Sequence, residues 1–131
     1  MDNILLDEAK NVKIIDFGFS IQSRTNSLLK LFCGTPSYMC PEIVSRKPYL
    51  GPPSDMWSAG VILFYMLTGT APFRSNSSKD LYKLILRCSY RMPSSMSNSS
   101  QQLIGKLLVY DATARITAAE AHSNYNVKQN K

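Results

Sequence analysis

The stretch from Ser54 to Thr68 limits the fold more than any other part of this chain. It is long enough for about four helical turns. Its apolar residues, Trp57, Val61, Phe64, Tyr65 and Leu67 among them, run nearly all the way round the helical wheel. A helix with one apolar stripe lies on a surface, whereas one apolar on most sides has to be enclosed by other elements. Ser54 is placed to cap it after the turn Gly51-Pro52-Pro53. Gly69 and then Pro72 stop it, because glycine accepts the left-handed backbone that closes a helix and proline cannot continue one. The rest of the chain is expected to assemble around this central helix.

Ahead of it, Ile4-Leu5-Leu6 and Val12-Lys13-Ile14-Ile15 read as two short strands around the polar turn Asp7-Glu8-Ala9-Lys10-Asn11. Phe19 to Lys30 has little periodicity and reads as an exposed loop. Gly34, Pro36 and Pro41 then break up a segment expected to form neither regular helix nor strand. Behind the central helix, Ser78 to Cys88 predicts a helix with Leu81, Leu84, Ile85 and Cys88 on one face. A third begins near Ser99, with Gln102 three residues on, and buries Leu103, Ile104, Leu107 and Leu108. Thr117-Ala118-Ala119-Glu120 is a capping box that opens a fourth, and Ser94 to Ser100 reads as a loop. The expected class is α+β and mainly helical: a small hairpin, a long irregular segment, then four helices.

Composition narrows the functional classes. The 131 residues suffice for one domain, and 44% hydrophobic with 18% charged residues is globular usage. The formal charge is +6, yet the basic residues are scattered and no run exceeds Arg46-Lys47. That pattern suits a solvated surface, so no nucleic-acid partner is expected. The longest apolar run, Gly60 to Leu67, falls far short of the ~20 residues of a membrane span, so no membrane partner is expected either. Cys33, Cys40 and Cys88 lack metal-ligand spacing, with only His122 to help them, and read as reduced thiols. No basic region precedes the opening apolar run. The expectation is a soluble, cytoplasmic protein, with the nucleus also open.

The chemistry-bearing residues come in a fixed order. Asp16-Phe17-Gly18 follows a strand, where an aspartate at the strand end is well placed to hold a metal ion. Phe32-Cys33-Gly34-Thr35-Pro36-Ser37-Tyr38-Met39-Cys40-Pro41-Glu42 comes next, and Ser54-Asp55-Met56-Trp57-Ser58-Ala59-Gly60 opens the central helix. In this order, from Asn3 to about Ala121, the chain resembles the C-terminal lobe of the protein kinase family. Phe32 to Pro36, with Val61 to Gly69 and Pro72-Phe73, is most similar to the calcium/calmodulin-dependent and AMP-activated group. The resemblance implies a partial kinase domain over residues 1–122, from the end of the catalytic loop through the last helix, with an activation segment inside it and a tail at 123–131.

It also implies roles. Asn3 matches the magnesium-binding asparagine that ends the catalytic loop, and Asp16 the aspartate that bridges metal to the ATP phosphates, with Phe17 and Gly18 supporting it. Magnesium takes oxygen ligands and needs only one or two from protein beside phosphate and water. Gly34 and Thr35 fall in the loop that receives the protein substrate, and threonine there goes with serine/threonine acceptors. Glu42 and Arg115 match a buried salt bridge, apt because the arginine fork can meet a carboxylate with two parallel bonds. Asp55 matches a buried aspartate that holds the catalytic-loop backbone. Ile62 and Met66 fall where the helix supports the nucleotide floor, and core packing is expected of both.

Some of the family's parts find no match. Counting back five residues from Asn3 for the catalytic-base aspartate runs off the chain, so no catalytic residue is assigned. The loop lysine, the ATP-orienting lysine, the glycine-rich loop and the rest of the N-terminal lobe are likewise expected as a missing partner. Leu31 stands where many relatives carry an activating threonine; Thr25 and Ser27 are the nearby hydroxyls. Tyr65 lies near a position at which relatives that prefer basic peptides place an acid. Asn124-Tyr125-Asn126 replaces the usual His-Pro-Trp. Two readings stand side by side: a serine/threonine kinase domain using ATP and Mg2+, inactive in this piece alone, and a catalytically dead binding or scaffold module. A product with no selected role is a third. With part of its cover missing, the central helix is expected to leave the isolated chain poorly folded.

Overall fold

A computed structural model describes residues 3–22 and 27–129, with side chains through Ser123. Strands β1 (Ile4–Leu6) and β2 (Val12–Ile14) pair antiparallel, with Ile4 opposite Ile14 and Leu6 opposite Val12. Their turn is held by Asp7, whose carboxylate accepts from the Asn11 amide N–H at 2.7 Å and from Asn11 Nδ2 at 3.1 Å. Both bonds favour the ionised form and hold Asp7 below its ordinary pKa.

The segment expected to lack regular structure contains a 3₁₀ turn at Pro36–Tyr38 and a short helix α1 (Pro41–Val44). Both prolines sit at the start of their helical turns, where the N–H they lack would have no partner anyway. The same rule corrects the start of the central helix. Helix α2 spans Gly51–Thr68, with Leu50 as its cap and Pro52 and Pro53 inside its first turn. Ser54 therefore caps nothing. It is buried, and its hydroxyl accepts from the Cys40 thiol at 3.3 Å. Burial raises the Cys40 pKa, which keeps that donor protonated. At the far end Gly69 has φ 73° and donates its N–H to the Tyr65 carbonyl at 2.8 Å, as expected of a closing glycine.

Helix α2 is buried on one side rather than all round. Trp57, Gly60, Val61 and Phe64 face the core, while Tyr65, Met66 and Leu67 are exposed. Met66, expected in the core, is 67% exposed, because no described element covers that side. On the buried side Phe73 stacks on Trp57, with centroids 5.6 Å apart, and Tyr90 meets both Phe73 and Phe64 edge-on. Helix α3 (Ser78–Leu86) contributes Leu81 and Ile85. Helix α4 (Asn98–Leu107) contributes Ile104 and Leu107, with Leu108 just beyond. Its cap is Ser97, not Ser99: the Ser100 N–H donates to Ser97 Oγ at 3.3 Å. Helices α2 and α4 touch at Gly60, where an added Cβ would lie 2.7 Å from Leu107 Cβ.

Helix α5 (Ala118–Gln129) opens on the expected capping box. The Glu120 N–H donates to Thr117 Oγ1, and the Thr117 N–H returns a bond to Glu120 Oε2 at 2.8 Å. The backbone of α5 runs on past residue 122; the side chains of Asn124, Tyr125 and Asn126, and all of Thr25, lie outside the described residues. The five helices and the two-stranded sheet make the mainly helical α+β architecture expected. Among the described residues no helix is long and apolar enough to cross a membrane, and Cys33, Cys40 and Cys88 are free thiols.

Candidate active-site cleft

The site rests on one buried cation. A tight turn after α4 brings Arg115 inward: Asp111 Oδ1 accepts from the Thr113 amide at 2.9 Å and from its hydroxyl at 2.7 Å. These bonds hold Asp111 below the usual carboxylate range. Arg115, only 4% exposed, then spends its planar fork on partners from distant parts of the chain. Nη1 donates to Glu42 Oε1 at 3.0 Å and Nη2 to Glu42 Oε2 at 3.2 Å, the two parallel bonds expected of this pair. Nη1 also donates to the Pro53 carbonyl, Nε and Nη2 to the Val109 carbonyl, and the guanidinium lies over the Trp57 ring. A buried charge is tolerated only when paired and hydrogen-bonded like this. The pair ties α1 to the start of α2 and to the turn before α5.

Above this anchor lies an open cleft of about 580 Å³. Its lining brings together Asp16 and Phe17 from the hairpin side, Gly34 and Thr35 from the loop before α1, and Asp55 from the first turns of α2. Asn3, Gly18, Glu42 and Arg115 are not among its lining residues. Asn3 is nevertheless close in the backbone to Asp16, because its carbonyl accepts from the Ile15 N–H at 3.0 Å.

Asp16 itself takes the left-handed backbone, at φ 62°. Its Oδ1 accepts from the Gly18 N–H at 3.1 Å, and a Cβ on Gly18 would lie 3.1 Å from the same oxygen. Gly18 therefore leaves room for the carboxylate, and the unusual backbone belongs to the aspartate. Gly34, at φ 111°, is the glycine whose conformation other residues rarely adopt. It delivers Thr35, whose carbonyl accepts from the Tyr38 N–H at 3.0 Å as the 3₁₀ turn begins.

Two expected structural residues stand differently from their resemblance. Phe17 is 68% exposed on the cleft wall rather than packed. Asp55, matched to a buried aspartate with a backbone partner, is exposed, and its carboxylate makes no hydrogen bond among the described residues. The cleft walls still desolvate its carboxyl enough to raise its pKa. Sequence reasoning also passed over Tyr49, buried and bonded to Leu31, and Ser58, whose hydroxyl donates to the Tyr38 carbonyl at 3.1 Å. Only the short apolar island Pro48-Tyr49-Leu50 beside Arg46-Lys47 hinted at Tyr49.

Comparison with known proteins gives this arrangement its class. The protein kinase domain model matches residues 1–125, and the chain belongs to the protein kinase family. Among curated relatives it is 45% identical over 120 residues to the probable serine/threonine-protein kinase HSL1 of Saccharomyces cerevisiae, covering 91% of this chain and 8% of that protein. It is 43% identical to the probable serine/threonine-protein kinase MARK-A of Dictyostelium discoideum, covering 91% of this chain and 11% of that one. It is 42% identical to the SNF1-related protein kinase catalytic subunit alpha KIN12 of Arabidopsis thaliana, covering 91% and 24% respectively. These relatives are serine/threonine kinases, and the SNF1-related one falls on the AMP-activated side of the grouping expected above. The chain spans less than a quarter of the length of each.

Proposed function

We propose that these residues form the substrate-binding lower part of a serine/threonine kinase domain that transfers the terminal phosphoryl group of ATP to a protein hydroxyl. The observation that carries the reading is the single cleft joining Asp16 to Gly34 and Thr35, set above the buried Glu42–Arg115 pair. The donor set fits magnesium. Asp16 and Asn3 offer hard oxygen ligands, and no cluster of three or more His, Cys, Asp or Glu stands ready for a metal among the described residues. A cation there would draw its other ligands from phosphate and water, the habit of magnesium. When bound, the ion neutralises phosphate charge. The chain's own residues position: Asp16 and Asn3 hold, Thr35 orients the acceptor segment, Asp55 waits under the catalytic loop, and Phe17 packs once the upper lobe is present. The domain closes near residue 122, and the partner it requires is the N-terminal lobe with the catalytic-base aspartate. The polypeptide is cytoplasmic, with access to the nucleus. The 131 residues alone transfer no phosphate, since general-base loss by itself costs on the order of 10²–10⁴ in rate.

The test joins the chain to an upstream kinase half that supplies the glycine-rich loop, the ATP lysine and the base aspartate. The fusion should phosphorylate a serine/threonine peptide library with magnesium-ATP, and Asp16→Ala should lower the rate by roughly 10²–10³. An inert fusion, an unaffected Asp16 variant or activity from the unfused chain would each sink the reading. A second reading, a kinase-like module that binds peptides without chemistry, draws support from the more complete packing of the substrate side. It predicts peptide binding by the unfused chain that is indifferent to nucleotide and to Asp16→Ala.

A further inference from the structure

The loop before Gly34 is not held by the core alone. Leu29 and Tyr49 form an isolated antiparallel bridge, with the Leu29 N–H donating to the Tyr49 carbonyl at 2.8 Å and the Tyr49 N–H returning the bond at 3.0 Å. The Tyr49 hydroxyl crosses back and donates to the Leu31 carbonyl at 3.2 Å, while its ring is buried. One residue further, Phe32 is gripped on two sides. The Arg46 guanidinium lies 4.2 Å above the ring centroid, and Tyr82 of α3 meets the ring edge-on at 6.4 Å. The bridge is a single residue pair: Arg46, at φ 55°, and Lys47 donate their N–H groups to the Ile43 and Glu42 carbonyls, so the bridge and the Phe32–Arg46 contact are two separate ties between residues 29–32 and 46–49. Leu31, between the two ties, is 51% exposed.

We infer that these ties form a clamp that holds the activation segment against the substrate-side core without any covalent modification, its hold coming from Phe32, Arg46, Tyr49 and Tyr82. The inference rests on the kinase reading above for the segment's role. Three features support it. The anchoring groups are aromatic and backbone groups plus one cation that is already occupied by a ring, so none of them waits for a phosphate. Leu31, where many relatives are expected to carry an activating threonine, has no hydroxyl to modify and lends only its carbonyl to the clamp. The clamp also ends at Phe32, two positions before Gly34 and three before Thr35, so it holds the approach to the loop that would meet a protein substrate. Order that other kinases gain by adding charge is built into side-chain packing here.

Amide hydrogen exchange on the fusion described above, expressed in bacteria and its mass showing no modification, tests the clamp. The amides of Leu29 and Tyr49 should exchange about a hundredfold or more slowly than in an unfolded chain. Phe32→Ala and Arg46→Ala should each lower that protection by about threefold to tenfold. Tyr49→Phe should lower it by about fivefold. Arg87→Ala, an exposed cation outside the clamp, should leave it unchanged. Fast exchange at Leu29 and Tyr49 in the unmodified fusion overturns the inference, whether or not α2 is protected. So does protection that none of the three clamp variants reduces. The readout needs neither nucleotide nor transfer. Its failure therefore leaves the kinase reading to the fusion experiment, and an inert fusion leaves the exchange result to be read by itself.

Discussion

On one side of the cleft Arg115 is enclosed by Glu42, Pro53, Val109 and Trp57; on the other, every residue from Lys10 to Gln22 is exposed. Both sides carry large apolar residues, and they differ in what meets them. Ile104, Phe73 and Trp57 find one another across helices, whereas Leu5, Leu6, Val12 and Ile14 have only the hairpin itself. A two-stranded hairpin is at best marginal without a third layer to cover it. The substrate side thus has a core of its own, and the nucleotide side supplies positioned groups on a scaffold that further chain would have to cover. The exposed flank of α2, at Tyr65, Met66 and Leu67, belongs with the hairpin in this respect.

If that contrast is right, substitutions should separate the two sides by size of effect. Glu42→Ala should be the most damaging, because it leaves the Arg115 charge buried without its counter-ion; a loss of about 3–5 kcal/mol in urea unfolding is expected. A loss within about 0.5 kcal/mol would mean the pair is solvated and the substrate side is not the stable half. Gly60→Ala comes next. Its new methyl would press on Leu107 and Leu108, at a cost of about 1–3 kcal/mol read from the same titration. An unchanged midpoint would show that α2 and α4 do not pack so closely.

Asp55→Asn should act in the opposite direction and more weakly. Desolvation raises the folded-state pKa of Asp55 above its ordinary 3.8, so the folded chain resists ionising it. Stability is therefore lost as pH rises from below 3.8 through the raised value, and none of that loss is present once both states are protonated. The asparagine variant should melt slightly higher than the parent at neutral pH, with the gain vanishing under strongly acidic conditions. A gain independent of pH would remove the carboxyl from the explanation. Leu6→Ser, on the hairpin, should be the smallest, within about 0.5 kcal/mol. A large loss there would erase the distinction between the sides.

Local signals were legible where local chemistry decides the outcome. The capping box at Thr117 and Glu120, the closing glycine at Gly69 and the hairpin turn at Asp7 involve residues within a few positions of one another. Each formed as read. The reading failed where neighbours in space decide. Ser54 has the chemistry of a cap, yet the prolines before it entered the helix and left it facing Cys40. Met66 has the chemistry of a core residue and lies exposed. Tyr49 carries no motif, and the motif that holds Phe32 names no partner for it; only the fold brings Arg46 and Tyr82 to its ring.

The sequence by itself determined the order of the hairpin and the four longer helices, the stop at Gly69 and the family, because periodicity, turn chemistry and motif order are written along one dimension. Tertiary structure alone decided that Glu42 and Arg115 meet across 73 positions, and that Asp16, Gly34 and Asp55 share one cleft. The same folding left one flank of α2 bare. The physical reason is that burial and pairing depend on which surfaces the folded chain brings together, and a residue's type fixes only what it costs to be left out.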